Sequence, residues 1–256
     1  MNVDLEISGP VATVRLNRPE RLNALSEEMK EAMPDIFGQV NRDPAVKVVV
    51  LCGAGRGFCA SGDTTTMGQF TAVTGRERLK RAHRMIIALA NIEKPVIASV
   101  RGPVAGIGWS MALACDMIIA SETAVFSQVF RNVGLSPDGG AIYFLSKVIG
   151  ELRAKELVYR ARKLGAEEAL SLGLVTRMVP DDELEAETQR YVEELVDGPH
   201  FSFSTTKKMF KLLHSPSLET FLDAEAWAQG VNLLTEDHGE GIQAFREKRR
   251  PAFKGS

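Results

Sequence analysis

The run Val46-Lys47-Val48-Val49-Val50-Leu51 passes directly into Cys52-Gly53-Ala54-Gly55-Arg56-Gly57-Phe58-Cys59-Ala60-Ser61-Gly62-Asp63. A short valine-rich stretch closed by glycines reads as a buried strand that ends in a tight loop. Runs of the same kind stand on either side of it, at Val11 to Leu16, Val96 to Val100 and Met117 to Ala120, separated by helix-sized segments. That alternation predicts crossover βα units and a largely parallel sheet, an α/β architecture. Ligands of such sheets sit at the carboxyl ends of the strands, so the 53–63 loop is a candidate site on position alone.

The intervening segments carry helical periodicity. Met29, Met33, Ile36 and Val40 fall in register over Ser26 to Val40, and Pro34 inside that run should bend the helix or end it early. Leu79, Ala82, His83, Ile86, Ile87 and Ala90 share one face, which points His83 inward and leaves Arg76, Arg78, Lys80, Arg81 and Arg84 mostly elsewhere. Beyond residue 150 the pattern is mainly helical, at 151–160, 166–172, 181–196, 202–213 and 217–234, with a short strand-like piece at 175–179. The cluster Asp197-Gly198-Pro199 suggests a division into a core over 1–195 and a helical region over 196–256.

The 256 residues are 45% hydrophobic and 25% charged, which suits a folded globular chain and excludes disordered and collagen-like classes. Lys and Arg total 31 against 33 acidic residues, a net charge of -2 without long single-sign blocks, so nothing calls for nucleic acid. No apolar run approaches the roughly 20 residues of a membrane span, and Asp4 and Glu6 stand where a leader would be basic. A soluble cytoplasmic protein without membrane contact is expected. Cys52, Cys59 and Cys115 are odd in number and unaccompanied by a CxxC, and His83, His200, His214 and His238 are scattered. Reduced thiols and no metal site follow.

A second loop, Gly102-Pro103-Val104-Ala105-Gly106-Ile107-Gly108, follows the next strand and opens a helix at Trp109 to Ala114. Two such loops meeting at one crevice offer free main-chain N–H groups, and the helix start adds its positive dipole end. That is the arrangement of an oxyanion hole, in which each donor is worth roughly 3 to 4 kcal/mol once charge develops. Tight turns alone would also account for the glycines. Neither loop has the Gly-Lys-Ser/Thr ending of a phosphate loop or a full dinucleotide fingerprint. A third element, Gly134-Leu135-Ser136-Pro137-Asp138-Gly139-Gly140, leads into the run Ala141 to Ile149. Taken by itself, Asp138 reads as a helix N-cap.

The order of these pieces, with Leu16-Asn17-Arg18-Pro19 and Asn23-Ala24-Leu25 before them and Ala244-Phe245-Arg246-Glu247-Lys248-Arg249 after, closely resembles the crotonase superfamily of enoyl-CoA hydratases and isomerases. The resemblance implies a spiral of ββα units with C-terminal helices that build a homotrimer or a dimer of trimers. It implies an acyl-CoA thioester as substrate, with coenzyme A part of that substrate and no separate cofactor. Carried over by position, Gly62 and Ile107 are the oxyanion donors and Asp138 the acid/base group. Leu22 and Ala24 line the adenine and pantetheine path, and Arg56 and Lys248 approach the CoA. Ala60, Asp63, Gly106, Ser110 and Phe130 complete the implied substrate contacts, with residues 64–74 and 126–133 closing the acyl end.

The hydratases of that superfamily use two glutamates, and this chain has Ser110 and Phe130 in their places. Neither side chain can hold water as a base and return a proton near neutral pH. Asp138 stands instead where the double-bond isomerases, including ring-opening phenylacetyl-CoA isomerases, carry their single carboxylate. An isomerase is therefore the expected activity. The alternatives are a hydratase, a hydrolase, a dehalogenase using His83 beside Asp138, or an acyl-CoA-binding oligomer without catalysis.

Overall fold

The computed structural model describes residues 2–66, 71–213 and 217–255, with Thr66 and Ala72 described by their backbone alone. His214 and part of the expected acyl-end segment, 67–70, lie outside them. In chain order the elements are β1 (Val3–Ser8), β2 (Val11–Leu16), α1 (Glu27–Arg42), β3 (Val48–Gly53), α2 (Ala72–Ala90), β4 (Val96–Val100), β5 (Pro103–Ala105) and α3 (Ile107–Leu113). There follow β6 (Met117–Ser121), β7 (Val125–Ser127), α4 (Ala141–Arg160), β8 (Leu164–Gly165), α5 (Ala166–Ser171) and β9 (Arg177–Val179). The chain closes with α6 (Leu184–Val196), α7 (His200–Leu212), α8 (Leu218–Asn232) and α9 (Glu236–Glu247).

The main sheet has the order β1-β2-β3-β4-β6-β9. Only its edge pair, β1 with β2, is antiparallel; the other neighbours are parallel, as the valine-rich runs predict. A small second sheet, β5-β7-β8, stands beside it. Both faces of the main sheet are covered, which is why its central strands read as continuous apolar runs. On one face Leu16 and Leu51 pack with Met29, Met33, Phe37, Met85, Leu89 and Trp109, all fully buried. On the other, Leu184 and Val192 of α6 cover Val48, Val50, Ile97 and Ile119. Among the described residues no helix is long and apolar enough to cross a membrane.

Two sequence expectations need correction. First, of the bend or early end expected at Pro34, the early end does not occur, and α1 continues to Arg42. The missing proline N–H costs the bond to the Lys30 carbonyl, while burial of Met29, Met33, Phe37 and Val40 holds the helix to the core on both sides. Second, α2 is rotated from the expected face. Ala82, Met85, Ile86 and Leu89 are buried, whereas Leu79, His83 and Ile87 are exposed. Arg78 and Arg81 turn toward α1, where they pair with Glu27 and Glu31, and this rotation carries His83 out of the interior. The two helical runs read at 141–149 and 151–160 form one element, α4, broken at Gly150 by a non-helical backbone (φ 74, ψ 160).

Candidate active site

The strands β3 and β4 are parallel neighbours, so the loops after them leave the sheet at the same edge. They are joined there by a ladder of main-chain bonds. Phe58 N–H donates to the Arg101 carbonyl at 2.8 Å, Cys59 N–H to Pro103 at 2.9 Å, and Ala105 N–H to Cys59 at 2.9 Å. The approach is too close for side chains. A Cβ on Gly108 would lie 2.6 Å from Cys59 Cβ, and one on Gly106 would lie 2.2 Å from Ser61 Oγ, so glycine is required at both places. Gly106 also has φ +51, and Ser61 beside Gly62 is held at φ 96, a strained backbone for a residue with a side chain.

Gly62 and Ile107, which follow Ser61 and Gly106 in the two loops, are thereby brought near each other. Ile107 is the first residue of α3, so its N–H has no carbonyl one turn back. The Gly62 N–H is likewise not engaged by any protein acceptor among the described residues. Two main-chain donors without partners, one of them at a helix start, can receive an oxygen that gains negative charge.

Asp138 stands on the loop before α4, and its carboxylate caps no helix: the N-cap of α4 is Gly140, without a side-chain bond. Its Oδ1 is buried and has no hydrogen-bond partner. Burial pushes the Asp138 carboxyl above the ordinary carboxylate range, against the opposing pull of Lys30, Arg78 and His83. The Asp138 main chain is tied to α3, because Ser110 Oγ–H donates to its carbonyl at 3.0 Å. A Cβ on the next residue, Gly139, would lie 3.0 Å from both Ile107 Cγ1 and Ser110 Cβ. The loop carrying the acid therefore packs on the helix carrying one donor.

Phe130 is buried, and its ring comes 3.5 Å from where a Gly106 Cβ would be. Trp109, Val104 and Phe126 are fully buried core, with the Trp109 and Phe126 rings 5.5 Å apart. Ala60 N–H donates to the Leu22 carbonyl at 2.9 Å, which sets the Leu22–Ala24 segment against the first loop. The Asp63 carboxylate is engaged by Arg18 at 3.0 Å and by the N–H and hydroxyl of Thr65, which hold its pKa down at about 2. Arg56 is exposed, with no ion pair of its side chain among the described residues. Lys248 is exposed at the end of α9, and none of its side-chain bonds joins it to the two loops. The Cys59 thiol, wholly buried, is pushed up to about 12 and is no nucleophile.

Sequence reasoning missed a charged cluster on this side of α1. Lys30 is almost fully buried and pairs with Glu27 at 2.8 Å, and Arg78 reaches the same carboxylate at 2.9 Å. Burial pushes the Glu27 carboxyl up, but Lys30 and Arg78 outweigh it and hold the group ionised below its ordinary pKa. The signal was present: Lys30, Met33 and Phe37 share the helical spacing of the buried face, so a lysine occupied a core register. Asn23 was quoted but given no role. Its buried side chain accepts from Arg18 N–H and donates to the carbonyls of Ala54 and Gly57, fixing the first loop.

Known proteins carry the same frame. The enoyl-CoA hydratase/isomerase family model matches residues 6–256. The chain is 34% identical over 249 residues to the 1,2-epoxyphenylacetyl-CoA isomerase of Escherichia coli, covering 96% of this chain and 95% of that one. It is also 34% identical over 250 residues to the short-chain-enoyl-CoA hydratase of Clostridium acetobutylicum, covering 97% and 96%. The crystal structure of an enoyl-CoA hydratase from Bacillus anthracis superposes with a TM-score of 0.94 at 31% identity, over 100% of both chains. With this fold, these loops and this likeness along its length, the chain belongs to the enoyl-CoA hydratase/isomerase family of the crotonase superfamily.

Proposed function

We propose that the protein isomerises the double bond of an enoyl-CoA thioester through Asp138. The thioester oxygen is received by the N–H groups of Gly62 and Ile107. Asp138 takes a proton from the α-carbon of a 3-enoyl chain, and the electron pair delocalises through the double bond onto that oxygen as a dienolate. The same carboxyl then returns the proton to the γ-carbon, leaving the conjugated 2-enoyl product. No water, cofactor or second carboxylate enters the balance.

The observation that carries this reading is the state of Asp138: a half-buried carboxylate with a buried, unpartnered Oδ1, raised in pKa by desolvation, on a loop packed against the first turn of α3. The places of the two hydratase glutamates support it further. The Ser110 hydroxyl is engaged with main-chain carbonyls, and Phe130 offers only a hydrocarbon ring. Leu22, Ala24 and Arg56 belong to the CoA path in the same reading, and a trimer or paired trimers would cover Trp227, Leu234 and Phe245, each at least 80% exposed.

Incubation with a 3-enoyl-CoA and separately with a 2-enoyl-CoA tests the assignment. Migration of the double bond without net water addition is expected; hydration of the 2-enoyl thioester without migration overturns it. Asp138→Asn should lower kcat by at least ~10² with the KM little changed.

A further inference from the structure

A cation stands beside Gly62, the donor of the first loop. A Cβ on Gly62 would lie 3.9 Å from Arg78 Nη2 and, its chain neighbours aside, within 4 Å of no other described group. A Cβ stands ~2.5 Å from the nitrogen of its own residue, which places Nη2 within about 6.4 Å of the Gly62 nitrogen. The contact between α1 and α2 seats the guanidinium there. Arg78 Nε donates to Glu27 Oε1 at 2.9 Å, Lys30 donates to the same oxygen at 2.8 Å, and Arg81 Nε stands 3.7 Å from Glu27 Oε2. Three cations thus share the Glu27 carboxylate, and two of them are little screened by solvent, the Arg78 side chain being 14% exposed and that of Lys30 4%. Burial raises the Asp138 carboxyl, and the charged groups that pull against it are Lys30 from α1 and Arg78 and His83 from α2. Among the described residues no ion pair joins Arg78 to Asp138, and Asp138 Oδ1 has no partner.

We infer that Arg78 is an electrostatic support of the oxyanion site: its guanidinium, seated by Glu27 beside Gly62, stabilises the negative charge that the thioester oxygen gains when Asp138 takes the α-proton. The inference rests on the isomerase reading and adds a residue to it. Charge leaves a carboxylate that Arg78 does not pair with and arrives at an oxygen held by the amide beside it. The interaction is therefore stronger in the dienolate than in the resting thioester, which raises kcat more than it raises affinity. No bond to Arg78 forms or breaks, and the proton moves only between Asp138 and the substrate.

Steady-state isomerisation of a 3-enoyl-CoA across pH tests it. Arg78→Gln should lower kcat by about tenfold or more with a smaller change in KM, and Arg78→Lys should recover part of the loss. The acid limb of kcat/KM, which reports the base in the free enzyme, should move to higher pH in Arg78→Gln, because a cation facing Asp138 is gone. Glu27→Gln keeps an acceptor oxygen for Arg78 but removes the counter-charge, so it should move the same limb to lower pH. His83 and Lys30 are present in both variants, so their pull cancels in the comparison. Arg81→Gln breaks an ion pair across the same helix contact and should leave kcat within about twofold of wild type. An unchanged kcat or an unmoved limb in Arg78→Gln, or an equal loss of kcat in Arg81→Gln, overturns the inference while leaving the isomerase intact. Should Arg78→Gln not fold, Glu27→Gln decides, since a limb that stays or moves to higher pH overturns it. Wild-type protein that isomerises no 3-enoyl-CoA overturns the isomerase reading itself, and the inference with it.

Discussion

Ser110 of α3 donates its hydroxyl hydrogen to the main-chain carbonyl of Asp138 at 3.0 Å, so the helix that begins at Ile107, a proposed oxyanion donor, also positions the proposed acid/base loop. The same hydroxyl lies 3.3 Å from the Gly106 carbonyl at the N-cap of α3. In the proposed mechanism, a residue that stands where the hydratases place a carboxylate acts through the backbone, holding donor and acid at a fixed separation. Geometry of that kind matters because a proton transfer is efficient only over hydrogen-bond distances.

Ser110→Ala removes this tether without changing the charge of the site. The expected result is a fall in kcat of about tenfold with a smaller change in KM, and a loss of stability of about 1 kcal/mol for the hydrogen bond. Steady-state kinetics and urea denaturation read the two effects separately. An unchanged kcat would mean that packing of Gly139 on Ile107 suffices to hold the loop.

The separation of the two oxyanion loops is tested at Gly108. Its φ is ordinary for a helix, so alanine is acceptable to the backbone, yet the added Cβ would meet Cys59 Cβ at 2.6 Å and the Cys59 carbonyl oxygen at 2.8 Å. One contact is with main chain, so the loops must part. Gly108→Ala should lower kcat/KM by ~10² or more, as expected when a preorganised donor is displaced. Gly165→Ala, where a Cβ meets nothing within 4 Å, serves as the matched control and should behave as wild type.

The sheet and the glycine loops were legible because each rests on a local rule, whereas the local reading of Asp138 as a helix N-cap failed, the cap of α4 being Gly140. Strands buried on both faces are continuous apolar runs, and Val11 to Leu16 and Val96 to Val100 match β2 and β4 at both ends. The antiparallel edge strand β1 was overlooked although Val3, Leu5 and Ile7 alternate, since a half-exposed strand carries a weaker signal than a buried one. The facing of α2 was misread for a different reason. Its apolar residues spread over more than one face, and the face that is buried, Ala82, Met85, Ile86 and Leu89, is set by tertiary packing, accompanied by ion pairs, Arg78 to Glu27 and Arg81 to Glu31, which join residues about fifty positions apart. The charged cluster beside Asp138 was hidden by the same nonlocality: Lys30 could be seen in a core register, but its proximity to Asp138 is created only by the fold.

Asp138 should weaken the fold at neutral pH. Its pKa in the folded protein is raised, chiefly by burial, above the value of about 3.9 for an unfolded chain. The native state therefore binds this proton more tightly than the unfolded state does. The associated stability is fully present below the unfolded pKa and is lost as pH rises through the folded one. Asp138→Asn, isosteric and uncharged, should raise the Tm at pH 7 while lowering kcat by at least ~10², and the gain should shrink toward zero below about pH 4. Calorimetry of the two proteins across that range checks it; a gain that persists undiminished in acid would show that ionisation is not its cause.

Asn23 gives the sharpest separation between side-chain shape and hydrogen bonding. It is fully buried with φ 57, and its amide serves three main-chain groups: it accepts from Arg18 N–H at 2.9 Å and donates to Ala54 O at 2.9 Å and Gly57 O at 2.7 Å. Asn23→Ala leaves all three unpaired and should cost about 3 kcal/mol, measured by urea denaturation. Asn23→Asp keeps the size and the tolerance for a left-handed backbone, but sets a carboxylate oxygen against two carbonyls with no hydrogen to share. It should therefore be no better than alanine at neutral pH and should partly recover in acid, when a proton restores one donor. Near-native stability of the aspartate variant at pH 7 would locate the role of Asn23 in its backbone conformation, and the first oxyanion loop would then be held by its main-chain ladder alone.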